Sequence, residues 1–402
     1  MERNKDKDII DRYRARYRLQ DKFFSGLNKG ASVFLGRRNT SIPVSPRRIL
    51  VANAGHLGDA ILSTYVFPVL RHAFPEASLD FLGSTFGRPV LEGHPMLDRA
   101  IFLDHWRVAR ARRTRIGEIA RFYAHVPSAV RTLRASSYDM ALDLHAWHPD
   151  YLPLFWLAGI PVRAGFDRIS GAFATHPVSF TYDRRHEVES FLDALRSVGV
   201  GEASLCHARL SLKPVSDEDR AQADALTGSL GRYRILHPGS SKPIKDWTID
   251  GWAELARRLA DRDIVPVITG SGRRDAEMAQ EISRREPRVM SIVNATSWDV
   301  LIAILQGAEI VYSVDTSIGH AARALGRPVV AIFGGMTDPM HWAPLGAHIA
   351  THDLPCSPCF DKRGCSTRGC LTLLSVDSVE IAAEDALSDI GAPRGQAASQ
   401  NW

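Results

Sequence analysis

Short β-branched runs that stop at a glycine- or hydroxyl-rich loop and restart as a helix recur along this chain, and the series begins anew halfway. Arg48–Asn53 (RILVAN) reads as a buried strand, and Ala54–Gly58 breaks it with two glycines. Asp59–Phe74 then carries apolar residues at helical spacing up to Pro75. Leu79–Leu82 and Met140–Leu144 are the next strands, and Ala158–Arg163 turns toward a further element. After Pro214 the pattern restarts. Tyr233–His237, Ile264–Thr269, Ile310–Val314 and Val329–Phe333 are predicted strands. Trp252–Ala260, Ala276–Ser283, Val300–Gln306 and Ile318–Leu325 are predicted helices between them, with Val376–Ile390 as a closing helix and Gly391–Trp402 as a frayed tail. Alternation of this kind specifies parallel sheets covered by helices. The expectation is an α/β protein of two doubly wound halves, joined near Ser211–Asp219.

The composition, 45% hydrophobic and 24% charged over 402 residues, suffices for two ordinary cores. No apolar run approaches the roughly 18 residues of a membrane span. The first residues (MERNKDKDIIDRYRARYR) are charged and lack the apolar stretch of a secretory signal, so a cytoplasmic location is expected. The net charge of +5 is unevenly spread: residues 1–48 hold about eight more basic than acidic side chains. A second basic cluster comprises Arg107, Arg110, Arg112, Arg113 and Arg115. Such patches suit lipid headgroups or acidic glycans, including peripheral contact with an anionic membrane; the alternative is a solvated, partly disordered arm. No nucleic-acid motif accompanies the charge, which argues against nucleic acid as a partner.

Ligands of open α/β sheets bind beyond the carboxyl ends of the strands, and three loops there carry chemistry. Gly55-His56-Leu57-Gly58-Asp59 joins a strand to a helix, and its glycines allow a tight turn. Asp59 is either a general base for an acceptor hydroxyl or a helix cap. The run from His237 to Trp247 (HPGSSKPIKDW) gathers hydroxyls, backbone N–H groups and lysines that suit a diphosphate, without being a Walker A loop; an ordinary polar connection is the alternative. In Ser313–His320 (SVDTSIGH) a helix start offers N–H groups to phosphate oxygens, Asp315 can accept from sugar hydroxyls, and His320 lies one turn beyond Thr316. There too a cap at Asp315 or Thr316, with a core histidine, is the plainer reading. Thr269–Asp275 and Gly334–Pro339 are weaker glycine loops of the same kind.

Cys356, Cys359, Cys365 and Cys370 lie within fifteen residues, a spacing compatible with structural zinc or iron, with free thiols, or with disulfides. Cys206 stands alone and reads as a core residue.

Taken in order, these motifs resemble glycosyltransferase family 9, the family of the lipopolysaccharide heptosyltransferases. The likeness runs from about Arg47 to about Val379. It rests on GHLGDAILSTYVFPVLRHAFPEASLDFL, YDMALDLHAW, AGIPVRAGF, ILHPGSSKPIKDWTIDGWAELA, VITGSGRRDAEMA, SVDTSIGHAARALGRPVVAIFGGMTDPMHWAPLG and the cysteine-bearing CSPCFDKRGCSTRGCL. The resemblance implies a GT-B fold: two Rossmann-like domains facing across a cleft, with no cofactor required and no catalytic metal. It divides the chain into a basic extension (1–46), an acceptor-binding domain (47–213), a nucleotide-sugar-binding domain (214–375) and a closing helix with tail (376–402). Asp59 matches the family's proposed base. Gly55, His56, Gly58, His145 and Arg163 fall on the acceptor side. Lys245 matches a diphosphate-contacting lysine, with Ser240, Ser241 and Gly270 nearby, and Asp315, Thr316, Ser317, Gly319 and His320 face the donor. The implied activity is inverting transfer of a sugar, commonly heptose from ADP-heptose, to a glycolipid or glycan acceptor at the inner face of the cytoplasmic membrane. Ser317 departs from the glycine usual in that motif. A protein hydroxyl as acceptor, an epimerase of the same fold, and a non-catalytic sugar-nucleotide binder are the alternatives; no convincing set of extra acid and base residues for an epimerase is present.

Overall fold

The computed structural model describes residues 2–35, 40–108, 114–146, 150–180, 182–361 and 363–389. The expected frayed tail and Arg110, Arg112 and Arg113 of the second basic cluster lie outside them. The chain divides into two compact units, Met1–Lys213 and Pro214–Trp402.

The first unit opens with helix α1 (Glu2–Leu35), where the sequence equally allowed a disordered arm. The helix holds because one face is anchored. Ile9 and Tyr13 are buried, and the Tyr13 ring stacks on Tyr182 at 3.8 Å. Asp6 pairs with Arg184, and the Asn28 amide donates to the Asp167 carbonyl at 3.1 Å. Six strands follow: β1 (Arg48–Asn53), β2 (Ser78–Gly83), β3 (Arg99–Phe102), β4 (Met140–Asp143), β5 (Val162–Phe166) and β6 (His176–Val178). They form one parallel sheet in the order β3-β2-β1-β4-β5-β6. The chain starts at the centre, runs out to one edge, and returns on the other side of β1, so the winding reverses between β1 and β4. The expected helix 59–74 starts earlier and is broken. Helix α2 (Leu57–Ser63) gives way to a 3₁₀ turn at Thr64–Val66 and a new helix at Phe67–Ala73. Pro68, in the first turn of that last helix, has no N–H to continue the ladder.

The second unit repeats the winding with β7 (Tyr233–His237), β8 (Val265–Ile268), β9 (Met290–Ser291), β10 (Val311–Val314), β11 (Val329–Ile332) and β12 (His348–Ala350), ordered β12-β11-β10-β7-β8-β9. All pairs are parallel, and the reversal falls between β7 and β10. Helices α3 (Ile249–Ala260), α4 (Arg273–Arg285), α5 (Ser317–Ala324) and α6 (Val376–Ser388) belong to this unit, and α6 closes over β11 and β12. Its core joins Trp247, Trp252, Leu236, Ile268, Tyr312, Val330 and Val379, with the two indoles edge to face at 5.4 Å. No helix among the described residues is long and apolar enough to cross a membrane.

Candidate active site

In each sheet the loops at the reversal point diverge from one another, and this leaves a crevice where ligands of such folds bind. The predicted site residues gather at these two places, with exceptions.

At the end of β1, the Asn53 side chain accepts the Gly55 N–H at 2.9 Å and donates to Ser63 at 3.0 Å, while Ser84 donates to the Gly55 carbonyl at 2.5 Å. Neither Asn53 nor Ser84 was singled out in the sequence; together they fix the loop. His56 is the N-cap of α2, Gly58 its second residue and Asp59 its third. The Asp59 carboxylate turns back to accept the His56 N–H at 2.7 Å through Oδ2, the return half of a capping box. Capping is therefore real, but it occupies one oxygen; Oδ1 makes no hydrogen bond among the described residues. The two sequence readings of Asp59 are compatible. Gly55 is required by this arrangement, since a Cβ there would sit 2.4 Å from Asp59 Cβ and Cγ. Gly55→Ala is expected to displace the start of α2, to cost about 1–3 kcal/mol of stability measured by denaturant unfolding, and to lower turnover with it.

His145 follows β4 on the neighbouring strand, and its N–H donates to Asp143 at 3.0 Å. Burial, and then the nearby Asp150, raises the pKa of Asp143; burial pushes Asp150 up to about 6. Arg163 does not join them. It is the second residue of β5, beside Ala141, toward the amino ends of the strands. Its guanidinium donates to the carbonyls of Phe173 at 2.7 Å and Ile160 at 2.5 Å. The residue clamps two turns. Arg163→Ala should lower stability by about 1–3 kcal/mol through unpaired carbonyls, and leave the acceptor KM unchanged in a transfer assay.

In the second unit β7 and β10 are adjacent, with Ser313 in register with His237. Their loops therefore meet, and Lys245 Nζ lies 2.6 Å from Asp315 Oδ2, with side chains 19% and 13% exposed. Around this pair the loop is braced by residues the sequence did not single out. Asp246 is buried, pairs with Arg274 and lies 2.7 Å from the Ser240 hydroxyl. Arg368 donates to the Pro243 carbonyl at 2.8 Å, and the Trp247 indole to the Leu374 carbonyl at 3.2 Å. The Ser240 hydroxyl is thus committed to its own loop, while Ser241 is exposed. Asp275, at the start of α4, accepts the Ser271 N–H at 2.9 Å. Its carboxylate fills the space that a Cβ at Gly239 or Gly270 would enter, at 2.1 and 2.9 Å. Gly270 serves that close approach.

Thr316 is the N-cap of α5 and accepts the Ile318 N–H at 3.3 Å, so the cap is Thr316, and Asp315 keeps its carboxylate for Lys245. Ser317 takes the first helical position, where no left-handed φ is needed, so the missing glycine brings no backbone strain. Gly319 is explained by packing: a Cβ would meet Pro344 at 2.7 Å. His320 is buried one turn in.

His237 is buried at the end of β7, with Nδ1 2.8 Å from the Thr269 hydroxyl, and burial lowers its pKa from 6.5 to about 4. The unfolded chain therefore binds a proton that the folded one refuses between these values. Stability is complete above pH 6.5 and falls as the pH drops toward 4, by roughly 3 kcal/mol from this group. His237→Asn, which keeps a partner for Thr269, should remove that slope; unfolding of both proteins compared between pH 4 and 7 measures it.

The cysteines do not fit a metal centre. All five are thiols, and no three or more His, Cys, Asp or Glu side chains among the described residues are placed to hold an ion. Cys370 accepts the Gly335 N–H at 3.2 Å and Cys365 the Arg368 N–H at 3.2 Å, so the first sulfur ties its segment to the loop after β11 and the second supports its own turn. Cys206, expected in the core, is exposed.

Two doubly wound parallel units, each with its polar loops at the reversal point, are the architecture of the GT-B fold. A sequence model described as glycosyltransferase family 9 (heptosyltransferase) matches residues 126–369. The chain belongs to that family and is a glycosyltransferase. It is 24% identical over 297 residues to lipopolysaccharide heptosyltransferase 3 of Escherichia coli (strain K12), covering 71% of this chain and 82% of that one. It is 26% identical over 335 residues to lipopolysaccharide heptosyltransferase 1 of Pseudomonas aeruginosa, covering 78% and 86%. Among solved structures, a family 9 glycosyltransferase from Veillonella parvula superposes with a TM-score of 0.69 at 23% identity, covering 88% of this chain and all of that one. The Escherichia coli ADP-heptose lipopolysaccharide heptosyltransferase II gives 0.66 at 21%, covering 86% and 100%.

Proposed function

We propose that this glycosyltransferase moves a heptose from ADP-heptose onto a lipopolysaccharide core or a related surface glycan, at the cytoplasmic face of the membrane. Transfer proceeds with inversion and without a catalytic metal. The first unit takes the acceptor and the second the donor. The observation that carries the reading is the Lys245–Asp315 pair at the reversal point of the second sheet: one cation for a diphosphate and one carboxylate for sugar hydroxyls, side by side. The names of the relatives, lipopolysaccharide heptosyltransferases, supply the sugar and acceptor class.

In this reaction Asp59 Oδ1 takes the proton of the acceptor hydroxyl as its oxygen bonds to the anomeric carbon. The bond from that carbon to the diphosphate breaks on the opposite face, and the electron pair leaves with the nucleoside diphosphate. Lys245 and the N–H groups at the start of α5 offset the charge that develops there.

The test is a screen of ADP-, UDP- and GDP-sugars by thermal shift, followed by mass-detected transfer to a heptose-free lipopolysaccharide core. A shift with ADP-heptose and a product one heptose heavier are expected. No shift with any ADP-sugar overturns the donor assignment. Release of an epimer without acceptor overturns transfer, and labelling of a protein hydroxyl in place of the core overturns the acceptor.

A further inference from the structure

The sugar-transfer reading gives α1 no task, although the helix is built with two distinct sides. One side is anchored through Ile9, Tyr13 and Asn28. On another, Arg14, Arg18 and Lys22 follow at intervals of four, so their side chains form one line along the helix, which Ser25 and Lys29 continue. From Arg12 to Lys29 there are six basic residues and a single acidic one, Asp21. These side chains border a shallow groove of about 490 Å³ lined by Arg14, Arg18, Lys22, Ser25, Gly26 and Lys29. The surface there is open: a Cβ at Gly26 or Gly30 would meet nothing within 4 Å. Beside the line of cations, again four residues apart, stand Leu19 and Phe23, 84% and 63% exposed.

A solvated helix gains nothing from presenting large apolar side chains to water. A partner that is only a soluble polyanion would engage the cations and leave Leu19 and Phe23 wet. A bilayer interface satisfies both at once, since phosphates meet the basic row while the apolar side chains enter the boundary between headgroups and acyl chains. Low overall hydrophobicity, a basic polar face and Leu and Phe on the other are the properties of a helix that lies in that plane.

We infer that α1 is a docking surface for a bilayer rich in anionic phospholipid, with Arg14, Arg18, Lys22 and Lys29 on the phosphates and Leu19 and Phe23 inserted between the headgroups. Because the opposite face is fastened to the first unit, docking fixes that unit and not a loose tail. The inference goes beyond the sugar-transfer reading and does not depend on it, since vesicle binding requires neither donor nor acceptor.

The experiment is co-sedimentation of the full chain with vesicles of phosphatidylcholine alone, and of phosphatidylcholine mixed with phosphatidylglycerol. Binding is expected to the mixed vesicles only, and to weaken as salt is raised. R14Q/R18Q/K22Q should lower the partition coefficient roughly a hundredfold, from about 1 kcal/mol for each cation at the surface. L19S/F23S should lower it roughly tenfold or more. Both variants change exposed residues, so unchanged melting temperatures are expected and separate lost docking from unfolding. Equal binding to neutral vesicles, or full binding by R14Q/R18Q/K22Q, overturns the inference. Full binding by L19S/F23S overturns it as well, in favour of a purely ionic site.

Discussion

Asp59→Asn is expected to lower kcat by roughly 10³-fold, within the 10² to 10⁴ that a positioned base contributes. The substitution is informative because of how the carboxylate is held. Oδ2 accepts the His56 N–H at 2.7 Å, and an amide oxygen can do the same. The start of α2 is then preserved, Gly55 still fits beneath it, and only the second, proton-accepting oxygen is replaced by an NH₂ group. Stability should stay within about 0.5 kcal/mol of the parent. Turnover by mass-detected transfer and unfolding by denaturant read the two effects apart. Turnover within tenfold of the parent, with stability kept, removes Asp59 as base. Loss of both would make the residue a cap and nothing more.

Lys245→Ala is the second large effect. The ammonium lies 2.6 Å from Asp315, and both side chains are mostly covered. Removal takes away one charge-assisted contact to the donor diphosphate, worth about 1.5–3 kcal/mol, so donor KM should rise roughly tenfold to a hundredfold. It also leaves the Asp315 carboxylate without its cation in a poorly hydrated place. The double variant Lys245→Ala with Asp315→Asn should therefore be more stable than Lys245→Ala alone, while donor binding remains weak. A double-mutant cycle measured by unfolding and by donor titration checks both statements. Equal donor KM in parent and Lys245→Ala would detach this lysine from the diphosphate.

What could be read from the sequence follows from where local signals are strong. The central strands, such as RILVAN and YRILH, are β-branched or apolar runs ending at loops, and they lie within a residue of their expected bounds. The edge strands were silent: β6 is three residues containing Pro177, and β9 is two residues long. The helix at Arg115–Ala135 was masked by its own arginines and by Pro127. At the site, Lys245 and Asp315 were found individually, yet their pairing depends on β7 lying beside β10, a relation between positions seventy residues apart. The pairing of Asp246 with Arg274 was invisible for the same reason. For Arg163 the motif gives no direction; only the register of β5 against β4 shows that it sits toward the amino end of the strand. At Gly319 a glycine that yields room to Pro344 looks, in one dimension, the same as one that yields room to phosphate.

The carboxylate of Asp275, set between Gly239 and Gly270, ties two separate stretches of chain into one mutational unit. A larger residue at either glycine collides with the acid, and loss of the acid opens a hole beneath two backbones, so each single step is penalised while a concerted one is not. Variation at these positions should therefore travel together through descent, and a library randomised at all three would recover folded members that no walk of single changes could reach.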